Sequence, residues 1–161
     1  MRFRALSRLA LSVVLLSVAF AAWPLPAAAD GSCTLDTTTI DFGLYDPLRA
    51  SAIQAVGYLT YTCTDNARNV RITLSAGNSG DTARRTLLRQ GNGISLSYLL
   101  TLDPTRTQIW GDGYGATAVY TQASAPANTP IRAPIYASIP SKQITAIGVF
   151  LDTITVHLSS Q

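Results

Sequence analysis

Four stretches of the chain alternate apolar and polar residues with a period of two, the spacing of a strand with one buried face and not of a helix. Gly57 to Cys63 sets Leu59, Tyr61 and Cys63 on one side and Tyr58, Thr60 and Thr62 on the other. Val70, Ile72 and Leu74 repeat the pattern, with Arg71 and Thr73 between them. Ile94 to Leu102 lines up Ile94, Leu96, Tyr98, Leu100 and Leu102 on one face. Gly148 to Leu158 reads as a last strand, with Phe150, Ile154, Val156 and Leu158 together and only Asp152 out of step.

Turn formers punctuate these runs at Asp65-Asn66, Gly77-Asn78-Ser79-Gly80, Gly91-Asn92-Gly93, Asp103-Pro104, Gly111-Asp112-Gly113 and Pro126 to Pro134. Glycine supplies positive φ, Asn and Asp bond their own backbone and proline presets φ, so each cluster ends a strand for a physical reason. No window after residue 30 holds a capped helical period. Many short strands separated in this way predict an all-β fold, a two-sheet antiparallel sandwich that is immunoglobulin-like in outline.

The first 29 residues read as an export signal. Arg2, Arg4 and Arg8 precede an apolar run from Leu9 to Ala22, and Ala27, Ala28 and Ala29 offer a small-residue cleavage site. Cleavage after Ala29 is the first choice, and Ala19-Phe20-Ala21 offers a second site after Ala21. The apolar run is shorter than the ~20 residues needed to span a bilayer. The exported domain is then 30–161, long enough for one core.

Export removes three of the twelve basic residues and none of the nine acidic ones, leaving nine of each. The basic balance belongs to the signal, so the domain carries no footprint for nucleic acid. Arg84-Arg85 is the remaining basic pair, and it reads as a solvated turn or strand end. Cys33 and Cys63 both lie in the exported part, where an oxidising compartment and an even count predict one disulfide.

Sites for chemistry are sparse. His157 lies on the face opposite Ile154 and Val156 and points to solvent, without a partner to orient its ring. Every acid is an aspartate, and most sit in turns. Asp41 and Asp112 are a conceivable carboxylate pair, but nothing in the pattern selects them. With one histidine, no glutamate and no CxxC, no metal-ligand set suggests itself, and no cofactor motif is present. The reading is non-enzymatic.

An ordered set of short motifs resembles one family. Cys33 is followed by Ile40-Asp41-Phe42-Gly43, Tyr45-Asp46-Pro47 and Gly57 leading into Cys63-Thr64. Ser97-Tyr98-Leu99-Leu100 and Trp110-Gly111-Asp112-Gly113 come next. Pro134 to Pro140 and Gly148 to Val156 complete the order. Together they resemble the spore coat protein U domain, found in secreted subunits of archaic (Csu-type) chaperone-usher pili, and the resemblance covers Cys33 to Leu158.

The resemblance implies a sandwich lacking its final strand and completed by donor-strand complementation. It implies a periplasmic chaperone, an outer-membrane usher and other pilus subunits as partners, with export to the periplasm and then the cell surface. Phe150, Ile154, Val156 and Leu158 are then the candidate strand-acceptor and chaperone-binding residues. Asp41, Phe42, Gly43, Tyr45, Trp110, Gly111, Asp112 and Gly113 are the motif positions. One departure matters: cleavage after Ala29 leaves only Asp30, Gly31 and Ser32 before Cys33, too short to donate a strand. Cleavage after Ala21 adds a segment with Pro24 and Pro26, a poor donor. This points to a terminal, tip-located subunit; adhesion is a weaker inference, with Tyr114, Tyr120 and Trp110 in or near loops that can meet a surface, although family position and burial explain Trp110 better. The competing expectation is a secreted coat or matrix protein that folds alone.

Overall fold

The computed structural model describes residues 32–161 apart from 37 and 92. The signal-peptide expectation for 1–29 and both cleavage sites lie outside the described residues. Among the described residues no helix is long and apolar enough to cross a membrane.

The strands are β1 (Cys33–Asp36), β2 (Ile53–Cys63), β3 (Ala67–Leu74), β4 (Thr86–Arg89) and β5 (Ser95–Ser97), followed by β6 (Leu99–Thr101), β7 (Tyr120–Ala125), β8 (Ile131–Ile139), β9 (Phe150–Leu151) and β10 (Val156–Ser159). A 3₁₀ turn spans Gly77–Ser79. One sheet runs β1-β2-β8-β6, a second β10-β3-β7, and a small third sheet β5-β4-β9. Every strand pairing in them is antiparallel.

Alternation decides the core. Leu59, Tyr61 and Cys63 on β2 are buried together with Val70, Ile72 and Leu74 on β3 and Ala133, Ile135, Ala137 and Ile139 on β8. The first two sheets meet through aromatic rings: Tyr61 stands edge-on to Tyr120 at 6.5 Å, and Tyr120 stacks on Trp110 at 5.6 Å. Such pairs add to the area they bury. Trp110 is fully enclosed and donates its indole N–H to Ile72 O at 2.9 Å. Cys33 and Cys63 are cross-strand partners on β1 and β2 and form the disulfide. Closing a loop of this span contributes about 3 to 4 kcal/mol in the chain-entropy model.

Three expectations need correction. The run Gly148 to Leu158 is not one strand: Phe150–Leu151 pairs with β4 in the third sheet, whereas Val156–Ser159 pairs with β3 in the second. Asp152 causes the break. Its carboxylate accepts hydrogen bonds from Asn78 N and Thr153 N, each at 2.8 Å, and from Tyr98 Oη at 2.6 Å. Those bonds turn the backbone out of the ladder.

The run Ile94 to Leu102 also changes sheet, with β5 on β4 and β6 on β8. Tyr98 is the joint, its N–H donating to Arg85 O at 3.1 Å. Leu96, Tyr98 and Leu100 are buried as their common face predicts, but Ile94 is exposed.

Arg85 is the third correction. Only 1% of its surface is exposed, although Arg84 beside it is open to solvent. Its guanidinium donates to Ser75 O at 2.9 Å, Trp110 O at 2.8 Å and Leu74 O at 3.3 Å, tying the end of β3 to the tryptophan. Burial lowers its pKa, opposed by the nearby Tyr98, Asp152, Asp112 and Asp81. A buried charge persists only when its donors are satisfied, and five fixed N–H groups suit three converging carbonyls.

Candidate functional site

β1 is an edge of the first sheet and β10 an edge of the second. In immunoglobulin-type sandwiches a further strand lies outside this position. Among the described residues none does. The two edges approach each other at one end, where Cys33 Sγ lies 3.7 Å from Ser160 Oγ. From there they separate, and a groove of about 1010 Å³ opens between them.

Its walls come from both flanks. Leu35 of β1 and the following Ile40, Phe42 and Tyr45 form one wall, while Phe150, Ile154 and Val156 form the other. The floor is core: Leu59, Leu74, Leu96, Leu100, Ile135 and Ile139. A groove floored by core side chains leaves apolar area unburied, and the free edges of β1 and β10 leave backbone groups without ladder partners.

The N-terminal wall is set by Gly57. A Cβ there would lie 2.6 Å from Ile40 Cγ1, so only glycine lets the segment after β1 lie across β2. Asp41 Oδ1 then accepts from Gly43 N at 2.8 Å, closing a turn in which Gly43 takes φ +68°. Phe42 is directed onto Tyr98, edge to face at 6.1 Å. Tyr45 closes the far end, its hydroxyl donating to Pro140 O at 3.2 Å and accepting from Gln143 N at 2.7 Å. Tyr98 is held protonated there. Burial first, then its bond to Asp152 and that group's charge, raise its pKa, while Arg85 opposes them.

The structure brings the anticipated site residues only partly together. Phe150, Ile154 and Val156 line the groove, while Leu158 packs on the core beyond it. His157 is exposed on β10. Asp41, Phe42, Gly43 and Tyr45 belong to the groove; Trp110, Gly111, Asp112 and Gly113 do not. Gly111 is close-packed, since a Cβ would lie 2.6 Å from Thr117 Cβ.

Asp112 shapes its own loop by accepting from Tyr114 N at 3.1 Å and Thr117 Oγ1 at 3.0 Å, bonds that lower its pKa. Asp41 and Asp112 therefore share no cleft. Among the described residues no cluster of three or more His, Cys, Asp or Glu could hold a metal. Of the floor residues, Leu96 stands on an alternating face that does not say which core side chains remain uncovered, whereas Ile135 and Ile139 lie on β8, a strand that none of the four alternating runs included.

Comparison with known proteins follows this geometry. The family model described as Spore Coat Protein U domain matches residues 19–157. Protein U of Myxococcus xanthus is 30% identical over 148 residues, covering 83% of this chain and 80% of that protein. A solved chain also matches, from the crystal structure of the CsuC-CsuE chaperone-tip adhesion subunit pre-assembly complex of archaic chaperone-usher Csu pili of Acinetobacter baumannii. It superposes with a TM-score of 0.52 at 16% identity, over 80% of this chain. At that identity the likeness is one of fold, and the match takes in only 39% of the solved chain.

Proposed function

Because the chain belongs to the Spore Coat Protein U domain family, we propose that it is an exported, non-enzymatic structural subunit of a chaperone-usher pilus, completed by a strand from another protein. The observation that carries this reading is the open groove between β1 and β10, with core side chains on its floor. An incoming strand pairs with the free edge of β10 and sets alternate side chains onto that floor, satisfying backbone groups and apolar surface together. A periplasmic chaperone supplies this strand first, and a neighbouring subunit's N-terminal extension replaces it at the outer-membrane usher. The exported unit is 30–161, delivered to the periplasm and then to the cell surface.

We further assign a terminal position. Cleavage after Ala29 leaves three residues ahead of Cys33, so the subunit accepts a strand without donating one. An adhesive role goes with the tip, and Tyr114, 80% exposed on its loop, is the aromatic available to it. Trp110 is enclosed and Tyr120 is stacked on it, which leaves neither free for a surface.

The family description, which speaks of a spore coat, supports a second reading: a secreted coat or matrix protein that folds alone. Expression of residues 30–161 in the periplasm separates the two. Under the pilus reading, soluble folded protein accumulates only with a co-expressed pilus chaperone. A monomer that is folded and stable without any partner defeats it in favour of the coat reading. Amino-terminal sequencing tests the terminal position, which a long alternating extension before Cys33 rules out.

A further inference from the structure

The groove takes the inner face and the free edge of β10 and leaves the outer face of the second sheet without a role. There β3 lies between β10 and β7. The register sets Arg71 opposite Ser159 on one side and Thr121 on the other, and all three are exposed. At the spacing of paired strands, the arginine has a hydroxyl-bearing residue about 5 Å to either side. With Asn69, Ala123 and Gln161 these residues line a trough of about 620 Å³.

A second arginine is brought to the same face by a bulge. Arg68 and Arg71 are three apart, and a regular strand would turn them to opposite faces. Here both are exposed, while Ala67 and Val70 are buried. Ser159 pairs with Arg71 and Gln161 with Arg68, so Ser160 alone stands opposite Asn69 and Val70. Asn69 takes φ +50°, and its Nδ2 donates to Gln161 Oε1 at 3.1 Å. The glycine-rich loop, which the groove does not use, positions Arg71. Arg71 Nη2 donates to Asp112 O at 3.4 Å, and a Cβ on Gly113 would lie 2.9 Å from that nitrogen. A backbone carbonyl leaves the charge uncompensated. None of the nine aspartates lies on β3, β7 or β10, and among the described residues neither Arg68 nor Arg71 forms an ion pair.

We propose that this trough binds an acidic polysaccharide, with a sugar carboxylate on Arg71 and ring hydroxyls on Thr121, Ser159 and the Asn69 amide. Charge complementarity selects the anion: the face holds cations without acids, and a guanidinium takes a carboxylate through parallel bonds. Hydroxyls and amides, which both donate and accept, suit a polyol. Apart from the buried Val70, the lining has no branched aliphatic and no aromatic side chain, so it offers little to an apolar peptide or a stacked base. Two arginines also neutralise too few phosphates to hold nucleic acid. Ser159 and Arg71 face away from Val156 and Leu74 of the groove, so the site is independent of the strand-acceptor reading.

The test uses the exported chain, 30–161, in the form in which it is isolated, chaperone-bound or free. Affinity is measured for oligogalacturonate as the acidic probe and for maltooligosaccharide of equal length as the neutral one. The expected result is binding of the uronate that weakens as salt is raised, and no binding of the neutral sugar. Arg71→Gln should lower the affinity about tenfold and Arg68→Gln about threefold. Arg84→Gln removes the same charge from an exposed position off this face and should change nothing.

Equal affinity of the wild type and Arg71→Gln overturns the site. So does an equal loss in Arg84→Gln, which would mean attraction by overall charge alone. Equal binding of the maltooligosaccharide removes the carboxylate from the recognition, and tighter binding of dextran sulfate or duplex DNA replaces it with another polyanion; both overturn the proposal. Should Arg71→Gln melt at a lower temperature than the wild type, the double variant Thr121→Val/Ser159→Ala repeats the measurement. Weaker uronate binding is expected there too, and unchanged binding overturns the site.

Discussion

Tyr98 Oη donates a 2.6 Å hydrogen bond to Asp152 Oδ2, joining the residue at which one strand run changes sheet to the residue at which another run breaks. Both side chains line the groove. The same carboxylate also accepts from Asn78 N, whose turn approaches so closely that a Cβ on Gly77 would strike Asp152. One carboxylate thus ties the end of β9 to Tyr98 and to the turn at Asn78.

Replacing Asp152 with Ala removes that acceptor from a buried phenol and two backbone donors, and is expected to destabilise the strand-filled protein by about 2–4 kcal/mol. Tyr98→Phe removes one shared bond and should cost about 1–2 kcal/mol. In urea unfolding the double variant should cost less than the two single changes together. Strict additivity would show that the pair is not coupled.

Alkaline titration reads the same region. Burial raises the pKa of Tyr98, and burial followed by the neighbouring Tyr120 raises that of Tyr61. In the unfolded chain both lose protons near pH 10, so the folded state binds more protons above that pH and stability falls as pH rises. Below it their contribution is constant. Absorbance at 295 nm should show two of the seven tyrosines ionising only as the protein unfolds; a smooth titration of all seven in folded protein contradicts this.

Arg85 should be the most sensitive basic residue. Arg85→Ala leaves the carbonyls of Ser75, Leu74 and Trp110 without their donor and opens a cavity beneath Trp110. A loss of about 3–5 kcal/mol follows, whereas Arg84→Ala stays within about 0.5 kcal/mol. Arg85→Lys should recover only part, because an ammonium cannot reproduce the planar fork. Denaturation midpoints of the three variants decide it, and equal effects at positions 84 and 85 would overturn the assignment.

Strand acceptance is tested on β10. Val156→Asp places a charge against the groove floor, with an unpaired burial cost of several kcal/mol on filling, so co-purification with a chaperone should fail. His157→Asp alters the exposed face and should leave the complex intact. The reverse pattern would mean that the strand's faces have been exchanged.

Much of the fold was legible because alternation is a local property. Leu59, Tyr61 and Cys63, and likewise Val70, Ile72 and Leu74, are buried as their spacing requires. The cysteine pair was legible from its compartment, and His157 from its parity with Val156. What escaped was set by distant neighbours. Arg85 is indistinguishable from Arg84 until three carbonyls converge on it, and Gly57, which reads as the start of a strand run, lies inside β2 where Ile40 packs against it.

The sequence by itself determined which faces are apolar and where turns interrupt them, since residue type and spacing suffice for both, and an even cysteine count pointed to the one disulfide. Only the tertiary structure decided which sheet each half of the runs 94–102 and 148–158 joins, and hence where the groove opens. Residues 74 positions apart, Asn78 and Asp152, must meet before that choice exists. No period within a single segment carries that information.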